Sequence, residues 1–149
     1  MKNIERFNLY TAHIFGVLYN EFPVPRMLHG REVVTAVRSS LEMSTEEEAK
    51  QHKFVAYTLR WLQETGYIKA YGTDENRTFV LEPRAFEAMA APLPRALSGA
   101  DVAVRSVGEK LVDVAGGFGG ELATETRKEI ASQLVGQVIG HAMKAFAGS

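Results

Sequence analysis

The chain has 149 residues, 46% of them apolar and 23% charged, enough for one domain with a buried core or a small domain with a helical appendage. It has no cysteine, which excludes disulfides and thiolate metal sites and makes a reducing compartment, the cytoplasm, the expected location. A net charge of −1 leaves no broadly basic surface, so any nucleic-acid contact must come from a local patch.

The N-terminus, MKNIERFNLYTAHIF, carries charged and polar residues among its apolar ones and does not read as a signal peptide. No run approaches the roughly 20 apolar residues of a membrane-spanning helix. A first helix is expected over Asn3–Glu21. Phe7, Tyr10, Ile14, Val17, Leu18 and Phe22 recur at three- and four-residue steps and make one apolar stripe. Pro23 and Pro25 close it.

Residues 31–41 read as a shorter helix entered through His29-Gly30, with Val33, Val34, Val37 and Leu41 on its buried side. Its valines and threonine have modest helix propensity, so a strand is the alternative. The third helix has the clearest start. Ser44 pairs with Glu47, and Thr45 with Glu48, at capping-box spacing, and Glu46, Glu47 and Glu48 suit the positive end of the helix dipole. Its core side is Phe54, Val55, Thr58, Leu59 and Leu62, with Trp61 at the edge, and Gly66 is the expected stop.

Residues 67–71 and 78–81 are rich in aromatic and β-branched residues, and GTDEN between them is turn chemistry, so they read as paired strands. Pro83 opens a short helix over residues 84–91, whose Phe86 and Met89 are expected to pack back on the first helix. Pro92 to Gly99 reads as a linker. Beyond it aromatics nearly vanish. Residues 101–115 form an amphipathic helix with Val104, Val107, Leu111 and Val114 on a stripe. GGFGG, residues 116–120, is a hinge. A long final helix over residues 121–146 has Leu122, Ile130, Leu134, Val138, Ile139, Met143 and Phe146 as its apolar set.

The apolar first helix, the segment FVAYTLRWLQETG and the ribbon YIKAYGTDENRTFVL resemble the winged helix-turn-helix superfamily over residues 3–91. LRWLQETGYI is similar to the way such domains run from recognition helix into wing. The resemblance implies a mainly α (α+β) fold: a winged helix-turn-helix with a two- or three-stranded antiparallel wing, then a C-terminal helical extension. The implied division is a winged domain over residues 1–91, a linker over 92–100 and an extension over 101–149. The whole is also similar to small bacterial proteins that join this domain to a glycine- and alanine-rich helical tail, a likeness that implies no activity.

DNA-binding members usually show basic or amide side chains at the start of the recognition helix, whereas this one begins with three glutamates that repel phosphates. The residues left to face a groove are Lys50, Gln51, Lys53, Tyr57 and Arg60, with Lys69 and Arg77 on the wing; the candidate nucleic-acid contacts are these without Gln51. In the tail, Ser132, Gly136 and Gly140 recur every four residues and line one side with small groups. Two interior glycines cost about 1 kcal/mol each relative to alanine, so they ask for close packing in return. The candidate oligomer interface is Ile130, Leu134, Gly136, Val138, Ile139, Gly140 and Met143.

Chemistry is not expected. His13, His29, His52 and His141 fall in separate segments without helical metal-pair spacing, so no metal, cofactor or catalytic site is assigned. His13 reads as a hydrogen-bonded core residue. GGFGG lacks the lysine and setting of a phosphate loop. Trp61, Tyr57, Tyr67 and Tyr71 read as core and core edge ahead of a stacking platform for single strands. The leading function is therefore a non-enzymatic winged-helix regulator, dimeric through its C-terminal helices, on duplex DNA. The alternatives are a protein-interaction or scaffold module, and a membrane-surface binder acting through LVGQVIGHAMKAFAG. Few basic residues follow that segment, which disfavours the last.

Overall fold

The computed structural model of the chain describes residues 1–38, 44–73, 76–94, 106–116 and 124–147. Its elements in chain order are α1 (Asn3–Glu21), β1 (Arg26–Met27), α2 (Gly30–Val37), α3 (Thr45–Glu64), β2 (Ile68–Tyr71), β3 (Thr78–Leu81), α4 (Pro83–Ala90), α5 (Val107–Gly116) and α6 (Thr124–Ala147). The fold is mainly helical with one small antiparallel sheet, in the order β1-β3-β2. Arg26 pairs with Phe79, Ile68 with Leu81 and Tyr71 with Thr78. Residues 31–37 are helical, not a strand, with Val33, Val34 and Val37 buried as expected; Leu41 lies outside the described residues.

Helix α3 starts and stops where its sequence says it should. Ser44 is the N-cap, its Oγ accepting from the Glu47 N–H at 3.4 Å. At the other end Gly66 takes φ of +83°, a conformation that costs a side-chain-bearing residue about 1–2 kcal/mol. The Tyr67 N–H then reaches back to the Leu62 carbonyl at 2.9 Å, and the Gly66 N–H to that of Gln63 at 3.2 Å. These are the two bonds of a Schellman stop. Arg84, from α4, donates to the Thr65 carbonyl and lies over the Tyr67 ring. A cation thus sits at the negative end of α3. The chain leaves directly into β2.

The first helix differs most from its expectation. One apolar stripe predicts a helix with a wet side, yet every residue from Leu9 to Gly16 is buried. The reason is the tail. Helices α5 and α6 pack on α1, and α6 also packs on α4. Val107, Leu111, Val114, Ala131, Leu134, Val135 and Val138 belong to the same core as Leu9, Ile14 and Phe15. The expected extension therefore shares its core with residues 1–91. Leu93, expected in a linker, is buried in that core too. The Ala91 carbonyl accepts from the Val107 N–H at 3.0 Å, tying the two ends of the intervening segment together. The described part of the fifth helix begins at Val107, capped by Ser106, whose Oγ accepts from the Glu109 N–H at 3.1 Å. Residues 101–105 and 117–123 lie outside the described residues, including Val104, Leu122 and most of GGFGG.

Two glycines set the α1–α5 crossing. A Cβ on Gly16 would stand 2.6 Å from the Leu111 carbonyl oxygen. A Cβ on Gly108 would stand 2.5 Å from the Tyr19 ring, which itself stacks on Phe86 at 5.8 Å. Phe86 stacks in turn on Phe22 at 4.1 Å, so α4 does pack back on the end of α1. Gly136 and Gly140 are different: nothing lies within 4 Å of a Cβ at either.

These contrasts separate the glycines experimentally. Gly16→Ala should destabilise the chain by about 1–2 kcal/mol, because overpacking against backbone costs about 1–3 kcal/mol and outweighs the helix-propensity gain of about 1. Gly136→Ala should stabilise it by up to about 1 kcal/mol through propensity alone. Urea unfolding of both variants checks this. Destabilisation or loss of a dimer in Gly136→Ala would instead mean that this side is packed in solution.

Candidate nucleic-acid interface

Helix α3 buries Gln51, Val55, Thr58, Leu59 and Leu62 and turns Lys50, Lys53, Tyr57 and Arg60 to solvent. A 3.6-residue period makes that division inevitable, since the four outward positions fall within one side of the helix. Gln51 corrects the sequence expectation. It was expected to face a groove, but its Oε1 accepts from the buried Tyr10 hydroxyl at 2.7 Å. That bond satisfies both polar groups inside the core and ties α3 to α1. Burial pushes the Tyr10 hydroxyl up from its ordinary value.

The outer ridge is mixed in charge. Arg60 pairs with Glu64 at 2.9 Å, an exposed pair one helical turn apart that contributes little to stability. Glu48 lies 3.8 Å from Arg38, so one of the three leading carboxylates has a cationic neighbour. Glu46 and Glu47 remain exposed at the helix start.

One side of the ridge borders a cleft of 460 Å³ between α2, α3 and the segment entering β3. Arg31, Arg60, Arg77, His29 and His52 line it, and among the described residues no carboxylate does. Sequence reasoning named Arg60 on the helix and Arg77 on the ribbon as separate candidates and missed Arg31 and His52, because nothing local in the sequence says that the start of α2 faces the middle of α3. Gly30 is what brings them close: a Cβ there would lie 3.3 Å from the His52 carbonyl oxygen.

Lys69 does not join this group. Ile68, Phe79 and Leu81 are buried, so Lys69 and Tyr71 lie on the outward face of the sheet, where the Lys69 ammonium sits 5.2 Å from the Tyr71 ring centre. The six candidates thus divide into Lys50, Lys53, Tyr57 and Arg60 on the ridge, Arg77 in the cleft, and Lys69 on the outward face of the sheet.

The opposite side of the ridge borders an apolar groove of 580 Å³ lined by Ile4, Phe7, Phe54, Tyr57 and Trp61. Three of these leave much of their surface in water: Ile4 at 60%, Tyr57 at 63% and Trp61 at 41%. Trp61 stacks on the buried Tyr67 at 5.9 Å and meets Phe7 edge-on at 5.3 Å, which fixes its ring. The four aromatics weighed as a stacking platform therefore do not share one surface, since Tyr67 is buried and Tyr71 is on the outward face of the sheet.

The candidate oligomer residues are spent largely on the chain's own core. Leu134 and Val138 are fully buried, and Ile130 and Ile139 pack partly against them. A second copy cannot reach Leu134 or Val138 while α6 stays docked. Gly136 is exposed and Gly140 half-buried, and the Met143 and Phe146 side chains lie outside the described residues. The same burial takes Leu134, Val135 and Val138 away from the side expected to lie on a membrane surface. Among the described residues no helix is long and apolar enough to cross a membrane, and no cluster of histidine and acidic residues could hold a metal ion.

His13 is in the core as expected. Burial lowers its pKa to about 4; Glu32 opposes that shift and Arg26 adds to it, the two being paired with each other at 2.8 Å. The folded chain therefore keeps His13 neutral where an unfolded chain, with a pKa near 6.5, takes up a proton. Its contribution to stability is complete above about pH 6.5 and is lost as pH falls toward 4, a change of about 3 kcal/mol. Urea unfolding at pH 7.5, 5.5 and 4.5 should show this loss, and His13→Leu should flatten it. An unchanged pH dependence in the variant would assign the acid sensitivity elsewhere.

No protein-family model, curated protein or solved structure matches the chain.

Proposed function

We propose that residues 1–91 are a winged helix-turn-helix domain and that the chain is a non-enzymatic duplex-DNA-binding protein. In this reading α3 is the recognition helix and the β2–β3 ribbon is the wing. The succession of α3, the Gly66 stop and the ribbon supports it, as does β1 completing a three-stranded sheet. The observation that carries it is electrostatic. The outward Lys50, Lys53 and Arg60 of α3 run beside a cleft whose described lining adds Arg31 and Arg77. A chain with a net charge of −1 thus places five cations on and beside one exposed helix, next to the exposed Glu46 and Glu47 and with Arg60 paired to Glu64, and a local patch of this kind is what phosphate binding draws on.

Tail-mediated dimerisation is not needed for this reading, because α5 and α6 already have an occupation as a brace on α1. Binding to a random duplex, followed by fluorescence anisotropy, should weaken steeply with salt. Three or four phosphate contacts give a slope of about −3 in log K against log salt. Lys53→Gln should reduce that slope by about 1. No measurable affinity at low ionic strength would remove the reading.

A second reading, a protein-interaction module, rests on the groove beside Trp61. Contiguous apolar surface of this kind is more typical of protein contacts than of phosphate contacts. It gains if duplex binding is absent.

A further inference from the structure

We propose that the apolar groove between the start of α1 and α3 binds single-stranded DNA, with unpaired bases stacked on Tyr57 and Trp61 and the strand's phosphates against Lys50 and Lys53. The inference goes beyond the duplex reading and stands without it. Ile4, Phe7, Phe54, Tyr57 and Trp61 line the groove, and its described lining carries no charged group. Four of those five are aromatic, and a ring offers a flat face on which any base can stack.

Trp61 is held ready for this. It stacks on the buried Tyr67 at 5.9 Å, Phe7 meets it edge-on at 5.3 Å, and 41% of its surface is still in water. Tyr57 stands one turn earlier on α3 and is 63% exposed. Four residues of helix advance about 6 Å, against about 3.4 Å per nucleotide along one strand of a duplex. Two rings at that spacing suit successive bases of a stretched, unpaired strand.

Charge says which partner the groove fits. Lys53 lies one turn before Tyr57 and Lys50 one turn before Phe54, and both are exposed. Among the described residues neither forms an ion pair. Lysine is depleted at protein interfaces, whereas a strand carries one phosphate for every base. Glu46, exposed one turn before Lys50, and Glu64, paired with Arg60, hold the local field down. Stacking therefore carries most of the affinity, and a duplex, whose base faces are covered, gains none of it. The mostly apolar lining penalises burial of a 2′-hydroxyl, so the strand is DNA ahead of RNA.

Trp61 is the only tryptophan in the chain, so its fluorescence reports on the groove directly. Titration of the full chain with a strand of about six deoxythymidines should quench it saturably. An abasic strand with the same phosphates, and a duplex of the same length, should not. Tyr57→Ala should weaken binding about tenfold and Tyr57→Phe less than about twofold, because one loses a stack and the other keeps it. Two phosphate contacts give a slope of about −1.4 in log K against log salt; Lys53→Gln should lower its magnitude by about 0.7, and Tyr57→Ala should leave it unchanged. Deoxyuridine strands should bind more tightly than uridine strands. Melting temperatures close to that of the parent chain establish that the variants fold.

Quenching retained without duplex binding supports the groove and removes the duplex reading alone. Absence of saturable quenching, with or without duplex binding, overturns the groove assignment and leaves that surface to a protein partner. Equal quenching by the abasic strand or the duplex overturns the stacking, as does full affinity in Tyr57→Ala. Tighter binding of uridine strands overturns the choice of DNA.

Discussion

Helix α1 is buried on every side along two turns, and the rest of the molecule is arranged to satisfy it. Eight consecutive residues, Leu9 to Gly16, are out of water. A helix in that position cannot be uniformly large and apolar. Where α5 crosses it must be thin, which is the role of Gly16. Where a polar group falls inward it must be matched or kept uncharged. Tyr10 is matched by Gln51, and His13 stays neutral beneath the Arg26–Glu32 pair. The tyrosine–glutamine bond is also the link that carries α1's constraint to α3.

This arrangement decides what surface is left. The C-terminal helices cover α1 and α4, while among the described residues no other element lies over the outer side of α3, which presents its ridge to solvent. On one flank of that ridge lies the cationic cleft, and on the other the aromatic groove. The two surfaces differ in chemistry because the two flanks of α3 meet different neighbours. Residues His52, Leu59 and Gln63 look toward α2 and the sheet; Phe54, Thr58 and Trp61 look toward the start of α1. One rigid helix can therefore present an anion-seeking side and an apolar side at a fixed separation. The proposed DNA contact draws on the first.

Much of the fold was legible because its signals are local. Ser44 and the glutamates after it mark a helix start, Gly66 marks its stop, and the alternation around GTDEN marks a ribbon. Each of these acts through bonds only a few residues long. The role of α1 was not legible for the opposite reason. Gly16 looks neutral in a stripe analysis, and only a partner 95 residues further on, Leu111, gives it meaning. Ser106 with Glu109 was a local capping signal that periodicity over residues 101–115 obscured. The candidate site divides in the same way. Lys50, Lys53, Tyr57 and Arg60 follow from helical period alone, whereas the convergence of Arg31 and Arg77 on Arg60 depends on how α2 and β3 pack. Gln51 shows the limit of the period argument: one step around the helix from Lys50 turns an expected surface amide into a core residue.

The central claim is that α5 and α6 complete the core around α1 within one chain. Urea unfolding of a chain ending at Pro94, set against the full chain, tests it most directly. Exposing the Gly16 face of α1 and losing Leu111, Leu134 and Val138 from the core should abolish a single steep transition, or move its midpoint far downward. An unchanged midpoint, with a slope reduced only in proportion to length, would mean that residues 1–94 fold alone, and that account of α1 would be wrong.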